Sequence, residues 1–113
     1  MTATAEPARL SIRDILGSGT WVSSSDGQKV FDAAIAHLLE GRALQVSFRG
    51  REHVITAFLN VAIGQLYAGR VDWNDLDERL AFTDLDAGDR EKVDMVIDNA
   101  KRYFVARAQR QSL

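Results

Sequence analysis

The sequence predicts an α/β fold: a small mixed, largely parallel β-sheet with helices mainly on one face. Three segments carry apolar residues at spacings of three and four positions, which place a continuous apolar stripe on an α-helix. Shorter segments alternate apolar and polar residues, as expected of strands that are covered on one side only. The predicted order, β-β-α-β-α-β-α, favours right-handed crossovers between parallel strands.

Helical periodicity is clearest in residues 30–39, which follow the turn-like run 23–27. Ser25 or Asp26 can cap the free amides at the start of this helix. Gly41 suits the left-handed residue that commonly follows a helix end. The first helix is therefore expected to end at or just before residue 40.

The second predicted helix spans residues 56–67, with Thr56 as its N-cap and Gly69 beyond its end. An acidic connection, residues 70–78, carries one short helical turn. The third helix is expected over about residues 86–107, where its apolar residues again form one stripe.

Four strands are predicted between and before these helices. In the clearest, residues 43–48, the apolar side chains face one side while Gln45 and Ser47 face the other. The remaining three are a first strand with Leu10 and Ile12, a second with Trp21 and Val22, and a last one over residues 79–83. One face of the sheet should therefore be more polar than the other.

The chain has 113 residues and a formal net charge of −2. This length predicts one compact domain over residues 8–113 after a disordered tail of residues 1–7. The sequence lacks cysteine, which excludes disulfides and thiolate metal sites. No apolar run approaches the ~20 residues of a membrane span, and the N-terminus does not have the pattern of a secretory signal. We expect a cytoplasmic protein that does not bind membranes.

Few residues are suited to catalysis. His37 lies beside the apolar stripe of the first helix, which is typical of a histidine at the core boundary, and His53 lies in a predicted loop. No zinc-ligand spacing occurs, and no glycine-rich phosphate loop joins a strand to a helix. We expect no enzymatic activity, no cofactor and no metal. Residues 72–98 contain ten acidic and three basic residues, which predicts a solvated face or, alternatively, an acidic docking surface.

A candidate site lies where the strand at residues 43–48 leads into the second helix. Ligands and partners of α/β sheets gather at the carboxyl ends of strands, where helix N-termini expose unpaired amides. The Thr56 hydroxyl could either cap the helix or receive a phosphate. Arg49, Arg51 and His53 lie in the same segment and could pair with that phosphate or with an anionic partner.

The run of residues 46–67 resembles a known family. Its most specific part, Thr56-Ala-Phe-Leu-Asn-x-Ala-Ile-Gly-x-Leu-Tyr67, is similar to the STAS-like domain family of unknown function found in bacteria, and the resemblance extends over residues 21–104. That family is related in fold to anti-sigma factor antagonists and to a cytoplasmic domain of sulfate transporters. The resemblance implies a bacterial domain that lacks a catalytic centre and docks to a protein partner, often an ATPase-fold kinase.

In the antagonists a strand ends in Asp-Ser-Ser-Gly, and one serine is phosphorylated by the partner. Placed on this sequence, the motif puts Thr56 at the acceptor position, Ile55 where the aspartate stands, and Ala57 and Phe58 in place of Ser-Gly. Because the acidic residue and the small residues are missing, the resemblance carries over the docking surface more directly than the phosphorylation site. The candidate phosphoacceptor, anion or partner contacts are Thr56, Arg49, Arg51, His53 and Asn60.

These observations favour a non-enzymatic signalling module that acts by protein–protein interaction, with partner switching by an ATPase-fold kinase as its specific form. One alternative is a small-molecule or nucleotide sensor that uses Arg49, Arg51 and Thr56 at the helix N-terminus. A less favoured alternative is a nucleic-acid accessory protein, because the basic residues of the last helix lack aromatic stacking partners. Those basic residues are Lys101, Arg102, Arg107 and Arg110. The open sheet face also allows a homodimer.

Overall fold

A computed structural model describes residues 6–111 of the chain, without the side chains of Arg110 and Gln111. The predicted disordered tail, residues 1–7, therefore lies outside the described residues except for Glu6 and Pro7. The contribution of the Arg110 side chain to a basic helix end lies outside the described part of the chain as well.

The described chain contains five strands, five α-helices and one 3₁₀ helix. The strands are β1 (Ala8–Ser11), β2 (Thr20–Trp21), β3 (Leu44–Ser47), β4 (His53–Val54) and β5 (Leu80–Thr83). The helices are α1 (Ile12–Leu16), α2 (Ser24–Leu39), α3 (Thr56–Ala62), α4 (Trp73–Arg79) and α5 (Ala87–Gln111), and the 3₁₀ helix is Gly64–Tyr67. No helix within residues 6–111 is long and apolar enough to cross a membrane.

The strands form two small parallel sheets. β1, β3 and β5 pair in that order, and β2 pairs with β4. From β1 to β3 and from β3 to β5, the chain moves in the same direction across the larger sheet. Because crossovers between parallel strands are right-handed, helices on two successive crossovers in one direction lie on the same face. The predicted α/β class and the one-sided arrangement of helices are confirmed.

The register of the larger sheet separates a buried face from an open one. Leu10 and Val46 lie in one row of that register, and both are almost fully buried under the helices. On the opposite face, Arg9 pairs with Gln45 and both are exposed. The next row on the open face consists of three hydroxyl residues, Ser11, Ser47 and Thr83.

The centre of the core is an aromatic cluster around Trp21. The Trp21 ring lies 5.5 Å from the Phe48 ring in an edge-on arrangement and 6.1 Å from the Phe58 ring. All three side chains are almost fully buried. The indole Nε1 of Trp21 donates a hydrogen bond of 2.7 Å to the Ser18 carbonyl, which satisfies the one polar atom of this side chain. Because β2 has only two residues, the packing of the Trp21 side chain holds it in place more than its backbone pairing does.

Several predicted boundaries of the first half are wrong by a few residues. Ile12 does not belong to the first strand, because it begins α1 and is fully buried there. Val22 lies beyond β2 and is exposed. The cap of α2 is Ser23, whose hydroxyl accepts the Asp26 amide, and not Ser25 or Asp26. The helix begins earlier than predicted because Ser23, which has an extended backbone, already supplies the hydrogen-bond acceptor for a free amide of the first turn.

The second predicted helix is broken. α3 ends at Ala62, and the chain continues from Gly64 as a 3₁₀ helix, so the apolar stripe is preserved although the helix type changes. Gly41 and Gly69 have φ values of +82° and +107°, which confirms the predicted left-handed residues. The acidic connection forms a full helix, α4, and α5 extends past the predicted end near residue 107.

Helices α2 and α3 approach each other closely at Gly27. A Cβ atom at this position would lie 2.8 Å from the Phe58 carbonyl oxygen and 3.0 Å from the Cβ of Val61. A backbone carbonyl cannot move aside as a flexible side chain can. The missing side chain therefore sets the distance between the two helices.

We expect Gly27→Ala to lower the free energy of unfolding by about 1–3 kcal/mol, because the new methyl group overpacks the α2–α3 contact. This loss should exceed the gain in helix propensity from replacing a glycine. Urea unfolding followed by circular dichroism measures the change. Gly88→Ala is the matched control, since Gly88 is also helical but its Cβ would meet its nearest neighbour at 3.4 Å. The control should be neutral or more stable; an equal loss in both variants would contradict the packing argument.

Candidate functional site

The segment between β3 and α3 is anchored to the start of α5 by Arg51. Its guanidinium donates from Nε to Asp89 Oδ2 at 2.6 Å and from Nη2 to Asp86 Oδ2 at 2.7 Å. Asp89 is 3% exposed, whereas the Arg51 side chain is 26% exposed. A buried carboxylate is costly without a partner, so this ion pair holds residue 51 in one position.

Asp86 has a second role at the same place. Its Oδ1 accepts the backbone amide of Asp89 at 2.7 Å, which caps the first turn of α5. This amide, and to a smaller extent the Arg51 guanidinium, lowers the pKa of the Asp86 carboxyl below its ordinary value. The Asp86 carboxylate therefore stabilises both the helix start and the connection to Arg51.

A second contact fixes the end of the same segment. The Lys92 ammonium, one turn further along α5, donates to the Val54 carbonyl at 3.3 Å. Val54 belongs to β4, which pairs with β2, so the chain entering α3 is held from two sides. The residues that follow Val54 are presented on a fixed framework.

Thr56 is not the N-cap of α3, contrary to the sequence prediction. The cap position is Ile55, which makes no side-chain hydrogen bond, and Thr56 is the first helical residue. With its extended backbone at φ −119° and ψ 159°, Ile55 takes the cap position, so the helix begins one residue earlier than it would with a threonine cap. Within residues 6–111 the Thr56 hydroxyl has no hydrogen-bond partner, and the side chain is half-buried.

Three further residues share this surface. Asn60 lies one turn after Thr56 on the same side of α3 and is exposed, as are Ala57 and His53. His53 begins β4 and does not lie in a loop as predicted, because the β2 backbone pairs with it. We call the surface formed by His53, Thr56, Ala57 and Asn60 the α3 patch. It contains three of the five predicted contact residues.

The α3 patch carries no carboxylate, ammonium or guanidinium group. Residues 53–69 contain no Asp, Glu, Lys or Arg, although 27% of the whole chain is charged. Much of this stretch is core, but the residues of the patch lie at the surface. Sequence reasoning focused on the basic residues before Thr56 and missed this charge-free run, which is visible in the sequence as a gap between Glu52 and Arg70.

The two predicted arginines are placed apart. Arg51 is turned toward α5, as described above, and Arg49 is exposed beside a cleft on the open face of the β1-β3-β5 sheet. The contacts of Arg49 are with that cleft, where its backbone amide donates to the Ser47 hydroxyl at 3.1 Å. Thr56 and Asn60 thus lie one turn apart on α3, and His53 is exposed three residues before Thr56. The two guanidinium groups have other surroundings.

A family model described as a STAS-like domain of unknown function matches residues 26–90, which is more than half of the chain. The chain belongs to this STAS-like family. The matched segment of the STAS-like domain runs from the first turn of α2 to the first turn of α5 and includes the whole α3 patch. No curated protein and no solved structure matches the chain significantly.

The acidic residues in the range 72–98 were predicted to form a solvated face or an acidic docking surface. One of these residues of the STAS-like domain is instead buried. Asp89 is buried against Arg51, whereas Asp72 is exposed and caps α4 by accepting the Asn74 amide at 2.8 Å. Two aspartates spaced as Asp86 and Asp89 are, before an apolar stripe, indicate the start of a helix. Nothing in the sequence near Asp89 indicates that Arg51 is the cation that neutralises it. In the part of the chain that the structure describes, no three His, Asp or Glu residues are grouped to hold a metal ion.

Replacing Arg51 by methionine should cost roughly 3 kcal/mol of unfolding free energy, because the buried Asp89 carboxylate loses its partner. Urea denaturation of the purified domain measures this loss. Arg49→Met is the matched control: Arg49 is exposed and has no carboxylate partner within residues 6–111, so its replacement should change stability by less than about 0.5 kcal/mol. Similar effects of the two substitutions would show that the Arg51 contacts do not stabilise the fold.

Stability should also depend on pH through Asp86. Because folding lowers the pKa of this carboxyl, its contribution is present above the ordinary aspartate pKa of about 3.9 and is lost as the pH falls through the lower folded value. The stability difference between wild type and Asp86→Asn should therefore shrink below about pH 4. Unfolding curves at several pH values test this, with exposed Asp94→Asn as the control for removing one charge. A difference that stays constant from pH 7 to pH 3 would contradict the assignment.

Proposed function

We propose that this STAS-like domain is a non-enzymatic regulatory module that acts by binding a protein partner through the α3 patch. The observation that carries the proposal is the charge-free surface of His53, Thr56, Ala57 and Asn60 on an otherwise charged protein. The centres of protein interfaces are depleted in charged residues, because burying an unpaired charge is costly. An uncharged patch can be covered by a partner at a low desolvation cost.

The framework beneath the patch supports the same conclusion. Arg51 and Lys92 tie the segment before α3 to α5, so the patch does not need to become ordered when a partner binds. A preorganised surface loses less entropy on association than a mobile loop does. The proposed interface therefore combines low desolvation cost with low ordering cost.

The surroundings of Thr56 favour binding over catalysis. A nucleophilic hydroxyl needs a base within hydrogen-bond distance, and the Thr56 hydroxyl has no such contact within the described residues. Its role in the proposal is that of a contact or of an acceptor acted on by another protein.

The specific form of the proposal is a partner switch in which an ATPase-fold kinase phosphorylates Thr56. A phosphate would add nearly two negative charges to the middle of an uncharged patch. Such a charge would oppose burial of the patch and release the partner. Ile55 stands where anti-sigma factor antagonists have an aspartate before the acceptor, so Thr56 has no carboxylate beside it in the sequence.

The two other functions considered from the sequence have less support. An anion sensor at Thr56 would use Arg49 and Arg51, but Arg51 already pairs with Asp86 and Asp89. For nucleic-acid binding, two of the basic residues of α5 are likewise neutralised: Lys101 pairs with Asp77 and Arg102 with Asp98. Self-association stays a prediction that the same sample can test by analytical ultracentrifugation.

A capture experiment with matched variants tests the α3 patch. The immobilised domain is exposed to lysate of the native host, and bound proteins are quantified by mass spectrometry. Asn60→Arg should reduce capture of the partner at least about tenfold, because it places an unpaired charge in the interface centre. Asn99→Arg makes the same change at an exposed position of α5 and should leave capture unchanged.

Equal capture by wild type and Asn60→Arg would place the interface elsewhere, and the absence of any partner that wild type captures reproducibly would overturn the proposal. Thr56→Glu tests the switch separately. If phosphorylation releases the partner, the added carboxylate should weaken capture, whereas Thr56→Ser should preserve it. Unchanged capture by Thr56→Glu would contradict the switch while leaving the binding surface intact.

A further inference from the structure

The open face of the three-stranded sheet carries a cleft of about 780 Å³. It lies at the carboxyl ends of β1, β3 and β5, on the side that the helices leave uncovered. This volume is in the range of sites for small molecules. The cleft is lined by other residues than the α3 patch, so an inference about it does not depend on the proposed partner binding.

Three guanidinium groups line this cleft. Arg9 and Arg49 are exposed and have no ion-pair partner within residues 6–111. Arg13 donates from Nη1 to the Gly50 carbonyl at 3.0 Å, and its ion pair with Glu52 is long, at 3.9 Å. Arginine is well suited to phosphate, since its planar group donates two parallel hydrogen bonds to the oxygens.

The floor of the cleft presents hydroxyl groups and a carboxylate in fixed positions. The Ser47 hydroxyl donates to Asp84 Oδ2 at 2.6 Å, and the Thr83 hydroxyl lies 3.3 Å from the same oxygen. Asp84 has a left-handed backbone with φ +60°, which is uncommon for a residue other than glycine. Its other carboxylate oxygen, Oδ1, has no partner within the described residues and is free to accept a hydrogen bond from a ligand.

The cleft is lined by both arginine and aspartate side chains, and this combination favours one class of ligand. Asp14 and Asp84 would repel a bare multivalent anion that filled the cleft, but they would accept hydrogen bonds from ligand hydroxyls. The arginines require an anionic group on the same ligand. No aromatic side chain lines the cleft in the described part of the chain, so a nucleobase would lack a stacking partner.

We propose that the cleft binds a small sugar phosphate, with the phosphate on Arg9 and Arg49 and the sugar hydroxyls on Asp84. The hydroxyl row of Ser11, Ser47 and Thr83 forms the surface beneath the ligand. Binding would involve no chemical step. The domain would then have two separate recognition surfaces, one for a metabolite and one for a protein.

An NMR titration of the full-length chain tests this assignment. Ribose 5-phosphate is the probe, with ribose, inorganic phosphate and adenosine 5′-monophosphate as comparison ligands. Ribose 5-phosphate should shift amide signals of residues 9–14, 45–50 and 83–84, and it should bind at least about tenfold more tightly than ribose or inorganic phosphate. Adenosine 5′-monophosphate should bind more weakly than ribose 5-phosphate, because its base has no stacking partner.

Matched variants assign the contacts. Arg49→Gln should weaken ribose 5-phosphate binding roughly tenfold, whereas Arg70→Gln, which removes the same charge from an exposed position outside the cleft, should not. Asp84→Asn keeps a residue that tolerates the left-handed backbone. It should weaken the sugar phosphate but not inorganic phosphate, so the preference between the two ligands is lost. Circular dichroism confirms that each variant is folded.

Four results would overturn the proposal. Binding of ribose 5-phosphate that Arg49→Gln does not weaken, or its absence at millimolar concentration, would show that the cleft is not a phosphate site. Equal affinity for inorganic phosphate would exclude the role assigned to Asp84. Tighter binding of a phosphoserine peptide at the same amides would assign the cleft to a protein partner. None of these results changes the outcome expected for Asn60→Arg, so the two proposals are tested independently.

Discussion

The direction in which the chain crosses its larger sheet is the constraint on which the rest of the structure depends. β1, β3 and β5 follow one another across the sheet without a reversal, so right-handed crossovers place their helices on one side. This side buries Leu10, Val46 and the aromatic cluster of Trp21. A sheet whose order reversed would carry helices on both faces. Here the second face stays open, and its polar side chains line a cleft.

The two surfaces proposed for recognition follow from this asymmetry in different ways. The α3 patch lies on the helical side, and the ion pair of Arg51 with Asp89 and the hydrogen bond of Lys92 to the Val54 carbonyl hold the segment before it against α5. The cleft lies on the opposite face, where strand ends expose hydroxyl and guanidinium groups. One surface carries no charged side chain, whereas the other is a cleft lined by charged side chains. Such surfaces suit different ligands, which makes a protein partner and a small phosphorylated ligand compatible on one domain.

The contacts of Arg51 show how stability and presentation of a surface are coupled. Its guanidinium neutralises the buried Asp89 carboxylate, and the same interaction fixes the segment that leads to α3. Loss of this ion pair would therefore weaken the fold and loosen the framework of the patch together. Experiments on partner binding consequently need variants that leave Arg51 intact, such as changes at Asn60.

The sequence alone determined the three apolar helical stripes, the strand at residues 43–48, the left-handed glycines at residues 41 and 69, and the resemblance to the STAS-like family. These features depend on local spacing, and periodic apolar residues commit a segment to one structure wherever it packs. The start of α3, the pairing of His53 with β2, the burial of Asp89 and the separation of Arg49 from Arg51 were decided by the tertiary structure. Each depends on which distant backbone or charge arrives beside the residue, and residues 35 to 38 positions apart in the chain carry no mutual signal in local spacing.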